Sequence, residues 1–181
     1  MLDVFHVKHL AEGVITMFKI KYNTGISDRE ATFLPPFKRL DYCNAAYYHK
    51  THVSEKHDRN GHSYTIHKYA LVSYETPICR IVRYVDNVTH DDFFDVYINR
   101  DSYRCSSSTI HQLVRFLRIA IGDLISYQDI KYYEDHCPYP NNCYISTYAP
   151  IHLTFTNNTV LNDAILADNK GITRYWGHSV C

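Results

Sequence analysis

No run of apolar residues in this 181-residue chain approaches the length of a membrane span. Its first nine residues, Met1-Leu2-Asp3-Val4-Phe5-His6-Val7-Lys8-His9, set charges and histidines where an export signal needs an unbroken apolar stretch. The expectation is a cytoplasmic protein with no membrane partner and with its thiols reduced. Net charge is also lacking. Nineteen Lys and Arg face 19 Asp and Glu, so no global field draws the chain to nucleic acid or to an anionic membrane, and an acidic DNA mimic is excluded by the same balance. Glycine is scarce, at 6 residues with none clustered, which removes phosphate-cradling glycine loops from consideration. Repeats and low-complexity tracts are missing, which sets aside solenoids and linkers.

What the chain does have is a core. Apolar residues make up 45% of it, enough to build one ordinary domain without disulfide staples, although six cysteines stand at 43, 79, 105, 137, 143 and 181. Tyrosine is abundant at 17 residues and histidine at 12. Tyrosine suits half-buried strands, and it also suits contact surfaces because its large ring is ordered at low entropic cost. Charge is unevenly spread, with 12 basic and 8 acidic residues in 1–85 against 7 and 11 in 86–181, an asymmetry within ordinary surface variation.

Residues 1–16 are poorly patterned, and a clean alternation starts only at Met17, where Phe18, Ile20 and Tyr22 alternate with Lys19 and Lys21. Residues 17–181 are therefore expected to form the single domain, and Met17 is itself a candidate start. A helix fragment is expected near Asp41 to His49, followed by a polar loop to His62. Runs at 67–73 and 78–84, joined by Tyr74-Glu75-Thr76-Pro77, read as an antiparallel hairpin. A third strand at 93–99 turns Phe94, Val96 and Ile98 one way and Phe93, Asp95 and Tyr97 the other. Ile110, Leu113, Val114, Leu117, Ile121 and Leu124 then recur at helical spacing, with Ser107 or Ser108 as cap and Arg115 and Arg118 off the stripe. The segment 137–143 reads as a loop, followed by strands at 144–148 and 151–155. A short helix over 163–167 capped by Asn162 and a closing strand at 172–176 complete the pattern. The fold class is α+β: an antiparallel sheet with one principal amphipathic helix packed on one face.

Four groups of residues carry candidate chemistry. Cys43, His49, His52, His57 and His62 are zinc-ligand types crowded into one segment, yet only His49 and His52 form a close pair, so surface histidines are the competing reading. His136, Cys137 and Cys143 make a looser version, and the two cysteines could instead close the loop as a disulfide. Asp91, Asp92 and Asp95 would suit a divalent-ion nuclease, but no lysine accompanies them and a solvated turn explains Asp91 and Asp92. Cys105 or a serine of 106–108 beside His111 lacks the strained turn that exposes a nucleophile. Lastly, Arg80, Arg83, Arg100 and Arg104, with Tyr97, Tyr103 and His111, are residue types that dominate binding hot spots. Five aspartates in the same window disfavour nucleic acid as the partner.

The run Leu71-Val72-Ser73-Tyr74-Glu75-Thr76-Pro77-Ile78-Cys79-Arg80-Ile81, followed by Tyr103-Arg104-Cys105-Ser106-Ser107-Ser108-Thr109-Ile110-His111-Gln112-Leu113, resembles small uncharacterised proteins of Gram-positive phages and mobile elements. In these a strand ending in Ser-Tyr-Xaa-Thr leads to a Tyr-Ser-Xaa-Thr-Thr-like turn and a helix starting with His. The match spans 70–117; Cys105 interrupts the tyrosine–serine adjacency and Thr109 stands where the second threonine falls. The resemblance implies a setting, the cytosol of a bacterial host, and no reaction. The resulting expectation is a non-enzymatic accessory protein that binds a host or phage protein, with inhibition of a host defence system, as anti-CRISPR proteins achieve, as one form. The alternatives are a metal-dependent enzyme acting on nucleic acid, with zinc or a divalent ion held at the sites above, and a structural virion component.

Overall fold

The computed structural model of the chain describes residues 7–10, 13–17, 38–40, 45–54, 61–74, 76–139, 141–145, 149–168 and 174–175. They form two sheets. In the smaller, β1 (Val7–Leu10) runs antiparallel to β2 (Gly13–Met17), and β10 (Arg174–Tyr175) runs parallel to β2. Strand pairing thus begins well before Met17, and the expected closing strand joins β2 instead of the main sheet. The larger sheet has seven strands in the order β3-β4-β5-β6-β7-β9-β8. These are β3 (Lys38–Arg39), β4 (Ala45–Ser54), β5 (Tyr64–Ser73), β6 (Thr76–Asp86), β7 (Asp92–Asn99), β8 (Cys143–Ile145) and β9 (Ile151–Thr156). Every pair is antiparallel except β7 with β9.

The parallel pair has a topological cause. Between β7 and β9 the chain passes through α1 (Ser107–Ile121), α2 (Tyr127–His136) and the edge strand β8, and because β8 runs antiparallel to β9, β9 starts from the same end of the sheet as β7. The class is α+β as expected, and among the described residues the principal helix α1 is joined by α2 and by a helix at 158–168. The expected hairpin is β5 with β6, registered from Tyr64 opposite Asp86 to Ser73 opposite Thr76. Pro77 does not end the strand; it lies in β6 beside a register shift at Leu71/Val72, where a residue without an N–H is tolerated. The helix fragment expected near 41–49 is corrected over its described part: residues 45–54 are β4, paired to β5 along their whole length. Ala45 and Ala46 are both fully buried, one on each face, which hides the alternation from the sequence.

Alternation assigns the side chains of the sheet to a front and a back face. On the front, Leu71, Cys79, Ile81, Phe94, Val96, Ile98, Leu153 and Phe155 meet α1 and α2 in the main core. Helix α1 buries Leu113, Phe116 and Leu117, each contributing about 1.5–3 kcal/mol over an exposed position. The buried stripe is centred on Phe116 and leaves Ile110 and Val114 at its margin, a rotation from the expected one. Arg115 and Arg118 are exposed as expected. The cap is Ser106, whose side chain accepts from the Thr109 N–H at 3.1 Å. Helix α2 was not anticipated. Ile130 is its one fully buried residue, and a reciprocal cap between Ser126 and Asp129 starts it.

The back face carries α3 (Asn158–Asp168). The Asn157 side chain accepts from the Val160 N–H at 2.9 Å, so the helix starts one turn earlier than expected and Asn162 lies inside it. Leu161 and Ile165 are its buried anchors, seated on Ala46, Tyr48, Ala70 and Val72. Two alanines let the helix approach closely, but two apolar anchors are few. The last residue supplies the remaining hold. The Asp168 carboxylate, 3% exposed, takes both Nε and Nη2 of Arg80 at 2.6 and 2.9 Å, Lys68 Nζ at 2.9 Å and the Tyr48 hydroxyl at 3.0 Å. Lys50 Nζ donates to the Asp168 carbonyl at 3.2 Å.

Among the described residues no helix is long and apolar enough to cross a membrane. Cys137 and Cys143 form a disulfide across the expected loop, and Cys105 is disulfide-bonded as well, so the expectation of reduced thiols fails at these three positions.

Asp168→Asn keeps the shape and removes the charge, leaving Arg80 buried without its counter-ion. Breaking a buried pair from one side should cost about 3–5 kcal/mol, read as a lower urea midpoint. Burial alone would raise the Asp168 carboxyl, but hydrogen bonds and charge from Arg80 and then Lys68 outweigh it and hold the carboxyl below its ordinary value. The stability it gives is therefore complete above the unfolded value of about 3.9 and is lost as pH falls through the lower folded value. The Asp168→Asn protein should lack that part of the acid-unfolding slope.

Candidate functional site

Strand register builds a continuous polar and aromatic strip across the back face. Arg80 on β6 sits opposite Tyr97 on β7, and Tyr97 opposite Thr154 on β9. One pleat along, Asp95 is opposite His152, and His152 is opposite Tyr144 on the edge strand β8. The Arg80 guanidinium stacks 5.3 Å from the Tyr97 ring centre. The Tyr84 hydroxyl donates to the Asp95 carboxylate, and burial followed by that carboxylate pushes the phenol up to about 12. His152 Nδ1 lies 3.6 Å from Asp95, and its ring is 5.1 Å from that of Tyr144.

Exposure rises toward the sheet edge. The Arg80 side chain is 13% exposed, Asp95 30%, His152 55%, and Tyr144 is 59% exposed. At the end of β9 the strip opens into a cleft of about 350 Å³ lined by Arg100, Asp101, Asn141, Thr154, Phe155, Thr156 and Asn157. There Arg100 donates to the Asn141 side chain at 2.7 Å. The cations nearer α3 are already engaged, since Arg80, Lys68 and Lys50 all point at Asp168. This face presents aromatic area, hydroxyls, an imidazole, the carboxylates of Asp95 and Asp101 and one arginine, with little uncompensated positive charge.

The seven expected contact residues do not share one surface. Arg80 and Tyr97 meet, and Arg100 lies at the end of their strip. Arg83 points to the front face, where Asp92 takes its Nε and Nη2 at 3.1 and 2.7 Å. Tyr103 is fully buried with its hydroxyl on Glu134, and Arg104 pairs with the same Glu134 at 2.7 Å. His111 is exposed on α1, away from the strip. His152, Tyr144 and Asp168 went unnoticed in the sequence because only the parallel pairing of β7 with β9 and the packing of α3 bring them to Asp95 and Arg80.

The expected metal ligands are likewise separated. His49 and His52 differ by three on one strand and project to opposite faces; His62 Nδ1 sits 2.6 Å from Asp86; Cys43 and His57 lie outside the described residues. Cys137 and Cys143 are joined to each other, and His136 Nδ1 is held 2.9 Å from the Tyr132 carbonyl. Asp92 and Asp95 also fall on opposite faces, and Asp91 takes the Thr89 hydroxyl at 2.7 Å. Among the described residues no three His, Cys, Asp or Glu side chains are grouped to hold a metal. His49 instead pairs across the strands with His67, Nε2 to Nδ1 at 3.1 Å, with the Thr51 hydroxyl 3.1 Å from each. The His49 ring lies flat on Tyr69 at 4.3 Å.

No protein-family model, no curated protein and no solved structure matches the chain.

The histidine pair makes a measurable prediction. Burial lowers both imidazoles below 6.5, helped at His49 by Lys38 and at His67 by His49 itself. Both rings should be neutral at pH 7 and titrate below 6.5 when followed by NMR of their ring protons. In the unfolded chain these histidines take up protons near pH 6.5. The unfolded state thus binds more protons between that pH and the lower folded values, and stability falls as pH drops through the window. Replacing both residues with Gln should flatten that part of the stability profile.

Proposed function

We propose that the chain is a non-enzymatic binding module whose partner is a protein, engaged through the back-face strip at the β9–β8 edge. A host or phage protein is the partner implied by the setting that the sequence resemblance supplies. The observation that carries the reading is the graded exposure across two adjacent registered rows. Asp95 and Tyr97, half-buried, back up His152 and Tyr144, which stand exposed at the edge. Buried support behind exposed aromatic anchors is the arrangement that concentrates binding energy in a few side chains.

Charge favours protein over nucleic acid. Affinity for a phosphate backbone needs cations free to replace counter-ions. On this face Arg80, Lys68 and Lys50 are spent on Asp168, and Asp95 adds negative charge beside His152. The cytosolic part of the proposed setting stands against the disulfides at Cys105, Cys137 and Cys143, which belong to an oxidising compartment. A count of free thiols on protein taken from its native cells decides between the two.

The test is capture of partners from native-cell lysate, with and without nuclease. Retention of one stoichiometric protein that survives nuclease is expected. Tyr144→Ala combined with His152→Ala should weaken its binding by about thirtyfold or more, the scale of a hot-spot loss. Arg104→Ala with His111→Ala, which lie off the strip, should bind as the parent does. Retention that vanishes with nuclease, or an unchanged affinity of the strip variant, overturns the reading.

A further inference from the structure

The front of the molecule holds a second cleft, built from the residues on which the sequence resemblance rests. The β5–β6 turn brings Ser73 and Thr76 against the first turn of α1, and with Ser102, Ser106 and Thr109 they line an open cleft of about 270 Å³ backed by Ile78. Tyr74 stands at this turn, 46% exposed, with its backbone in the left-handed region at φ 47°. The residue that fixes the corner is Asn99, fully buried. Its amide donates to the Pro77 carbonyl at 2.6 Å, its side-chain oxygen accepts from the Asp101 N–H at 3.1 Å, and its carbonyl accepts from the N–H groups of Ser102 and Tyr103. The turn that carries Ser102 is thereby tied to the start of β6.

Two features of this cleft point to a ligand. Ser73 and Thr76 are 3% and 5% exposed, and among the described residues neither hydroxyl has a hydrogen-bond partner. A buried hydroxyl left unmade costs free energy that an apolar side chain of the same shape would not. The second feature is electrostatic. Helix α1 is fifteen residues long, directs its N-terminal end to the cleft and has no acidic residue in its first turn. That end carries a partial positive charge of about half a unit. Among the described residues the lining holds no charged side chain of either sign.

We infer that this cleft binds a carboxylate. Hydroxyl donors and a helix N-terminus match an oxygen acceptor bearing one negative charge. A phosphate dianion would call for a cation, and among the described residues the lining supplies none. The volume suits the acid group and a few attached atoms more than a drug-sized molecule. The carboxylate can come from a free small acid or from the C-terminus of a polypeptide, and the chemistry of capture is the same. This inference rests on the front-face cleft alone and stands independently of the back-face strip.

The test follows backbone amide shifts of the full chain by NMR, with sodium acetate as the probe and sodium chloride and inorganic phosphate at equal ionic strength as comparisons. A short peptide with a free C-terminus and its amidated form separate the two sources. Saturable acetate shifts at Ser73, Thr76, Ser106 and Thr109, absent with chloride and weaker with phosphate, are expected. A peptide that binds more tightly than acetate and loses this on amidation assigns the polypeptide source; a free C-terminus that binds no more tightly than acetate, with the amidated form unbound, assigns the free acid, and an amidated peptide that binds as well as acetate overturns the inference. Thr76→Val should weaken acetate by about tenfold or more. Without ligand it should melt at the same temperature as the parent or higher, because the unpartnered hydroxyl is gone, whereas a hydroxyl with a structural role would make it melt lower. Should Thr76→Val fail to fold, Ser73→Ala is read in its place. Absence of saturable acetate shifts, phosphate binding more tightly than acetate, or undiminished binding by the variant overturns the inference.

Discussion

A pleated strand sends successive side chains to opposite faces, and in a sheet covered by helices on both sides that alternation decides which groups can meet. Residues an odd number apart on one regular strand are kept apart, however close they are in sequence. Arg80 and Arg83 lie on β6 with a three-residue step, and one reaches Asp168 under α3 while the other reaches Asp92 on the front. His49 and His52 on β4, and Asp92 and Asp95 on β7, obey the same rule. Residues far apart in sequence meet when they share a row: His49 with His67, and Asp95 with His152 and Tyr144. A one-residue slip would move every front-face apolar side chain to the back and detach Arg80 from Asp168, so the register is strongly specified.

The Asp168 carboxylate converts that register into electrostatics. It is nearly inaccessible, and it gathers a guanidinium, an ammonium and a phenol from three neighbouring strands. A carboxylate in that position is costly unless fully partnered, and here the partners are in turn cations that would be costly on a half-covered sheet. Each side makes the other tolerable. Helix α3 is held at its C-terminal end, where two apolar anchors alone would be weak, and the back face is stripped of free positive charge toward α3. The edge beyond is left with Tyr144, His152 and the hydroxyl-rich cleft at Arg100, a surface that presents contact area and hydrogen-bonding groups more than free charge.

Those parts of the fold whose burial follows a simple period were legible in the sequence. The alternation of Phe94, Val96 and Ile98 against Phe93, Asp95 and Tyr97 is the burial pattern of β7, and Ile151, Leu153 and Phe155 do the same for β9. Helix α1 was readable from its apolar spacing, though its axis of burial turned on Phe116. Helix α2 was not, because Ile130 is its one fully buried residue and the side chains that join it on the core, Tyr127 and Tyr133, are half-buried tyrosines that suit a strand or a surface equally well; its local signal is the pairing of Ser126 with Asp129. At the start of α3, Asn157 and Asn162 are the same residue type, and composition cannot tell a cap from an interior position. The site was less legible than the fold. Arg80 and Tyr97 stand out by residue type, but their neighbours arrive only after two helices and the β8–β9 reversal, and nothing local to β7 announces that β9 lies beside it.

Asn99 shows how the two faces are joined. It ends β7 with its side chain fully buried, one amide hydrogen bond reaching forward to Pro77 at the hairpin and another, at 3.2 Å, reaching back to Asn158 at the first turn of α3. Removing it would leave the Pro77 carbonyl and the Asp101 N–H without their partners at once, and the damage would fall on the front cleft and the back helix together. The corner where β7 becomes the turn into α1 thus fixes the hydroxyls of the cleft and the entry of α3 from a single side chain. A short polar side chain with both a donor and an acceptor is required there. Aspartate would lack the donor and leucine both functions, so the chemistry of one amide sets the geometry of both surfaces.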